Sequence, residues 1–124
     1  MFVNVNPNPA RKLVGDCVIR AISLAENQEW DKTFLDLSSL AYNAKDMPSS
    51  NNLWAQYLFQ KGYHRYMIPD TCPDCYSIKE FCLDYPNGIY IVATGTHVVC
   101  VKDGDYLDTW DSGNEIPFYY FRKE

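Results

Sequence analysis

The chain reads as an α+β domain, with N-terminal helices packed on an antiparallel sheet of about four to five strands. Three observations carry that reading. Apolar residues in the first half recur at helical spacing. The second half holds β-branched and aromatic runs separated by turn residues. Helices come first and strands follow, without the alternation that builds parallel sheets. All 124 residues are expected to form one domain, 1–124, because so short a chain leaves no room for two ordinary cores.

Met1 to Arg11 is rich in Asn and Pro, which disfavours helix and predicts an extended arm. The first helix is expected to start at Asp16 or Cys17 and run to about residue 26, with Val18, Ile22 and Ala25 as its buried stripe and Ile19 beside them. Arg20 and Ser23 should turn away or meet polar partners. A second helix is expected over about 30–43, where Trp30, Phe34, Leu37 and Ala41 repeat at helical spacing. Pro48-Ser49-Ser50 breaks the chain. A third helix should cover about 53–61 and stop at Gly62, which tolerates the left-handed conformation that ends a helix.

Residues 63–67 suit a short strand, and 69–75 a loop. Ser77-Ile78-Lys79-Glu80 has the capping-box pattern, so a short fourth helix should start there and end before Pro86. Strands are expected over 89–94, 97–101 and 106–110, the last two joined by a turn at Lys102-Asp103-Gly104-Asp105. A final strand is expected over 118–121. Trp30, Phe34, Trp54, Tyr57 and Phe81 are read as core.

Composition narrows the functions. Hydrophobic residues make up 47% and aromatics 15%, enough to fill a core and to argue against disorder. The formal charge of -5, from 11 Lys+Arg against 16 Asp+Glu, disfavours nucleic acid and anionic membranes as partners, since both need a basic face. No apolar stretch is long enough to span a bilayer, and the first residues lack a signal-peptide core. Five cysteines, an odd number, point to the reducing cytoplasm and to thiols that are free, metal-bound or catalytic.

The chemistry lies in residues far apart in sequence. Gly15-Asp16-Cys17 places a thiol where the first helix should open. The unpaired N–H groups there favour the thiolate, which is the nucleophilic form. Thr96-His97 opens a strand, and Leu107-Asp108-Thr109-Trp110 lies on the next. If Val101 and Tyr106 face each other across the turn, His97 sits opposite Trp110 and Asp108 is its diagonal neighbour. His97 would then serve Cys17 as base and acid, and Asp108 would orient the ring. A bulge at Gly104 would shift the register and bring in Asp111 as the alternate acid.

These residues resemble the papain-like cysteine peptidase superfamily. The order is the same: a cysteine on the first long helix, a histidine opening a sheet strand, and Asn or Asp on the following strand. Asp108-Thr109-Trp110 is similar to the family's Asn-Ser-Trp run, whose tryptophan shields the histidine contact. Gly15-Asp16-Cys17-Val18-Ile19-Arg20-Ala21-Ile22 is similar to the nucleophile helix of ovarian-tumour-type deubiquitinases. The layout also resembles small papain-like proteins from bacteria and their phages. The resemblance implies a papain-like fold and a cysteine-dependent hydrolase or acyl transferase. It would act on a peptide, isopeptide or amide bond through a Cys17 thioester, with a protein or peptide as substrate and no cofactor. Where the family places an oxyanion glutamine, six residues before the cysteine, this chain has Arg11. Asn8 or Asn6 on the arm would have to supply that donor.

Two other readings compete. A catalytically silent scaffold would use the same fold as a protein-binding module. Separately, Cys72-Pro73-Asp74-Cys75, with Cys82 after it and His64 before, offers four groups for a structural zinc. The paired-knuckle spacing of common zinc sites is absent. The default for this segment is a cysteine-containing loop with Cys82 in the core, and Cys100 is read as packing.

Overall fold

The computed structural model describes residues 1–123. Four helices lie at α1 Cys17–Glu26, α2 Trp30–Ala44, α3 Asn51–Gln60 and α4 Ile78–Asp84. Six strands lie at β1 Phe2–Asn4, β2 Tyr63–Met67, β3 Ile89–Ala93, β4 Val98–Lys102, β5 Asp105–Asp108 and β6 Tyr119–Lys123. The architecture is α+β, as the helix-then-strand order predicts. The strands form one sheet in the order β1-β5-β4-β3-β6-β2.

The sheet departs from expectation in number and direction. It has six strands and is mixed, because the Asn- and Pro-rich arm starts as an edge strand. Phe2, Val3 and Asn4 pair in parallel with Tyr106, Leu107 and Asp108, and the N–H of Val5 reaches the carbonyl of Asp108 at 2.9 Å. Pro7 and Pro9 lack the N–H that pairing needs, so the ladder stops before them. All other pairings are antiparallel.

Both faces of the sheet centre are covered, which explains the nearly unbroken apolar runs of β3 and β4. On one face Ile91, Ala93, Val98, Cys100 and Phe121 pack against Ile22 of α1, Leu37 of α2 and Trp54 and Leu58 of α3. On the other, Tyr90, Val92, Val99, Val101 and Tyr106 meet Ile78, Phe81 and Cys82 of α4. The helical stripe of α1 seats that helix on β4 and β3. Burying Ile22 completely contributes about 1.5–3 kcal/mol. That seat fixes where the first residue of α1, Cys17, meets the sheet.

Local signals set the helix ends. The Ser77 Oγ accepts the N–H of Glu80 at 3.3 Å and caps α4. Gly62 follows α3 with φ +93°, which a side chain would strain. The β4–β5 hairpin closes through Asp103 and Gly104, both at positive φ, as a tight two-residue hairpin turn prefers. Its register pairs Val101 with Tyr106, the alternative without a bulge. Phe34 corrects the core expectation: it is 40% exposed and stacks on Trp30 at 5.1 Å. No helix among the described residues is long and apolar enough to cross a membrane.

Candidate active site

Three element ends converge at one end of the sheet: the start of α1, the start of β4 and the end of β5. They bring together Cys17, His97 and Asp108. The Nε2 of His97 lies 2.6 Å from the Asp108 Oδ2, and the ring shares its groove with the Cys17 thiol, with which it interacts. Trp110 covers the imidazole, with ring centroids 4.8 Å apart. The carbonyl of His97 accepts the N–H of Thr94 at 2.8 Å, and its N–H donates to the Thr94 Oγ1 at 2.9 Å. These contacts fix the backbone that carries the ring.

Asp108 is 2% exposed, and each of its oxygens is held twice. Oδ2 accepts from His97 and from the Ser112 hydroxyl at 2.7 Å. Oδ1 accepts the Thr109 N–H at 2.8 Å and the Arg20 guanidinium at 3.3 Å. Burial opposes its charge. The hydrogen bonds from His97 and Ser112 outweigh that and hold the carboxyl below its ordinary range. Among the described residues, no buried side-chain polar atom lacks a partner.

The electrostatics single out one of three free thiols. Burial pushes the Cys82 thiol up, and it pushes Cys100 up to about 12. Burial also raises Cys17, but hydrogen bonds from His97 and the Val98 N–H, with the nearby His97 and Arg20 charges, bring it below its ordinary value. His97 moves the other way. Burial lowers it, yet the hydrogen bonds to Asp108 and Cys17 raise it to about 9. The two opposite shifts favour a thiolate beside an imidazolium. The first N–H groups of α1 have no intrahelical acceptor, and no side chain caps them. They are free to stabilise negative charge at or near the sulfur.

Cys17 and His97 line two grooves at once. One, of about 500 Å³, runs past Val18 and Ile19 toward Pro48, Ser49 and Asn51. The other, of about 370 Å³, runs past Leu13 and Val14 toward Thr109 and Trp110. The sulfur therefore sits between two binding troughs.

Other expected residues fall elsewhere. The alternate acid Asp111 is turned away from the ring: its carboxylate accepts the Tyr106 hydroxyl at 2.5 Å and the Gly113 N–H at 3.1 Å. The unbulged register of the hairpin puts it there. Asn8 does not present an oxyanion donor, because its amide NH2 donates to Asp16 at 3.4 Å and its carbonyl accepts from the Ala10 N–H at 2.9 Å. Asn6 donates to the Lys12 carbonyl at 3.2 Å. The His64, Cys72, Cys75 and Cys82 set does not assemble as a zinc site. Cys72 and Cys75 form a disulfide, Cys82 is buried on α4 against the sheet, and His64 lies on β2 paired with Arg122. Among the described residues, no group of three or more His, Cys, Asp or Glu is arranged to hold a metal.

Sequence reasoning missed three contributors. Ser112 carried no signal, since its role depends on the turn after β5. The Val98 N–H is a backbone group that only the packing of α1 on β4 exposes to the sulfur. Arg20 did leave a trace: it follows Asp16 by four residues and Cys17 by three, the spacing of neighbours on one helix face. No protein-family model matches this chain, and neither a curated protein nor a solved structure matches it.

Proposed function

We propose that this protein is a cysteine-dependent hydrolase or acyl transferase acting on peptide, isopeptide or amide bonds, built on a papain-like plan. One observation carries the reading: the thiol with the lowered pKa is the half-buried one at a helix start, in contact with an imidazole that is itself tied to a buried carboxylate. A structural cysteine needs none of these features, as Cys82 and Cys100 illustrate. The order of elements and the tryptophan over the histidine support the papain-like plan.

In the proposed reaction the Cys17 thiolate attacks the carbonyl carbon. The carbonyl oxygen becomes negative and is stabilised by the first N–H groups of α1, that of Cys17 foremost. The His97 imidazolium gives its proton to the leaving nitrogen as the C–N bond breaks, leaving a thioester on Cys17. Water, or an acceptor amine, then loses a proton to His97 and attacks the thioester carbonyl. The C–S bond breaks and the thiolate–imidazolium pair returns. Asp108 keeps the ring oriented and stabilises its charged form throughout. The two grooves favour a substrate that extends on both sides of the scissile bond, so a polypeptide suits the site better than a small amide.

The test is turnover of unfolded protein and of peptide mixtures, read by mass spectrometry for new amine termini, for released ammonia and for a thioester adduct on Cys17. The expected result is at least one of these products from the native protein, with none from Cys17→Ser or His97→Ala. If no product forms and the Cys17 thiol alkylates only at ordinary thiol pH, the enzyme reading fails. The protein-binding reading then replaces it.

A further inference from the structure

The acid beside the nucleophile poses an electrostatic problem. Asp16 directly precedes Cys17 and is 5% exposed. A carboxylate at the first turn of a helix would ordinarily cap it, yet Asp16 makes no side-chain capping bond. Left unbalanced, its charge would oppose a thiolate on the next residue. Arg20, one turn along α1 and 6% exposed, sits between this acid and the other buried carboxylate of the site. One guanidinium nitrogen lies 2.5 Å from Asp16 Oδ1, and the second lies 3.3 Å from Asp108 Oδ1. Asp16 is fastened from behind by the Trp30 indole N–H at 3.0 Å and the Asn8 amide at 3.4 Å. The fork of a guanidinium can hold two carboxylates at fixed separation, which a lysine ammonium cannot reproduce.

We infer that Arg20 is a positioning residue of this site, linking the nucleophile's helix to the acid strand and neutralising Asp16 so that a thiolate can form next to it. This rests on the proposed function for its meaning but not for its geometry. The charges around the sulfur are counted element by element. Asp16 precedes α1, Cys17 and Arg20 lie on α1, His97 opens β4 and Asp108 ends β5. From α2, only the uncharged Trp30 N–H points in. With Cys17 as thiolate and His97 as imidazolium, the set carries one net negative charge. Without Arg20 it carries two, with both carboxylates buried. Arg20 therefore works on the thiol in two ways. It offsets a neighbouring anion, and it holds Asp108 where that carboxylate meets His97.

Two neighbouring changes should act with opposite signs, which a purely structural role would not produce. Removing the cation in Arg20→Gln leaves Asp16 and Asp108 unbalanced and should make the thiolate harder to form. Removing the anion in Asp16→Asn leaves Arg20 less engaged and should make it easier. The double variant should fall between. Arg20→Lys keeps the charge but loses the fork, so it should retain part of the thiolate stabilisation while weakening the hold on Asp108.

The experiment is the rate of iodoacetamide alkylation of Cys17 against pH, by peptide mass spectrometry, on variants whose circular dichroism and melting curves show them folded. At a slightly acidic pH, Arg20→Gln should slow alkylation at least about threefold, and Asp16→Asn should speed it. The double variant should return toward the native rate. If Arg20→Gln and Asp16→Asn shift the profile in the same direction, or if folded variants keep the native profile while only their melting temperatures fall, Arg20 is structural and the inference is wrong. Should Arg20→Gln fail to fold, Asp16→Asn and Arg20→Lys still decide it. A native Cys17 that titrates like an ordinary thiol would overturn the proposed function. A native low-pH profile unmoved by these variants would overturn only the role of Arg20.

Discussion

Replacing Asp108 by Asn tests the site where its hydrogen bonding is most constrained. The change swaps one oxygen for an NH2 group of the same shape, so it looks conservative. The partners around Asp108 argue otherwise. Oδ1 faces two donors, the Thr109 N–H and the Arg20 guanidinium, and Oδ2 faces the Ser112 hydroxyl and the His97 ring. An amide has only one acceptor oxygen. If that oxygen stays with Thr109 and Arg20, the NH2 group points at the His97 Nε2, which must then give up its proton. If the amide flips, its NH2 group meets Arg20 and the Thr109 N–H, donor against donor.

Either way the imidazolium loses the carboxylate's negative charge, and in the first orientation it also loses its acceptor. The rise of His97 from 6.5 to about 9 corresponds to about 3 kcal/mol of stabilisation of the charged ring. Part of that comes from the thiol, and the open grooves screen some of the rest. About 2 kcal/mol is therefore assigned to Asp108, or roughly a 30-fold fall in the equilibrium constant for the thiolate–imidazolium pair. Iodoacetamide alkylation of Cys17 near neutral pH should slow severalfold, up to about that factor, and its pH profile should move toward that of an ordinary thiol. An Asp108→Asn protein that folds and alkylates at the native rate would refute the assignment of His97 to an Asp108-anchored imidazolium.

Activity of the native protein should follow a bell-shaped pH profile. The acid limb tracks the lowered Cys17 thiol, and the alkaline limb falls near 9 as His97 loses its proton; initial rates across pH check it, and a flat alkaline side would contradict it. Folding stability should respond with the matching signs. His97 is raised, so its contribution is complete below its unfolded value and lost as pH climbs through about 9. Asp108 is lowered, so its contribution is present above the ordinary carboxylate value and fades as pH falls through its depressed one. Urea melts at several pH values would show this, and the alkaline decline should shrink in Asp108→Asn. Ser112→Ala removes a fully buried donor to a charged oxygen and should cost about 1.5–3 kcal/mol in a urea melt. A neutral result would mean Ser112 does not hold Asp108. Gly113→Ala would drive a Cβ into the Tyr106 hydroxyl and the Lys79 side chain and should destabilise by about 1–3 kcal/mol. Asn8→Ala should lower the melting temperature by loosening the arm from Asp16 while costing little turnover in folded protein. A selective loss of kcat would instead restore Asn8 as an oxyanion donor.

Much of the architecture was legible because it is local. The apolar stripe of Val18, Ile22 and Ala25, the Ser77–Glu80 cap and the Asp103-Gly104 turn each depend on residues within a few positions of one another. From these the helix order and the β4–β5 turn followed, and the diagonal placement of His97 and Asp108 followed only on an unbulged register. Sequence could nominate Cys17, His97 and Asp108 on residue type and element ends alone. Choosing between Asp108 and Asp111 needed the absence of a bulge, a single-residue matter that tertiary pairing decides. The pairing of the arm with β5 and the place of α4 on the far face were also beyond local reading, because each brings together segments whose sequences carry no mark of the partner. The same holds for the electrostatics. Asp16 looked like an acid set against its neighbouring thiol until α1 and β5 came together around Arg20. Whether a charge helps or hinders depends on the charges facing it, and only the packed structure sets those distances.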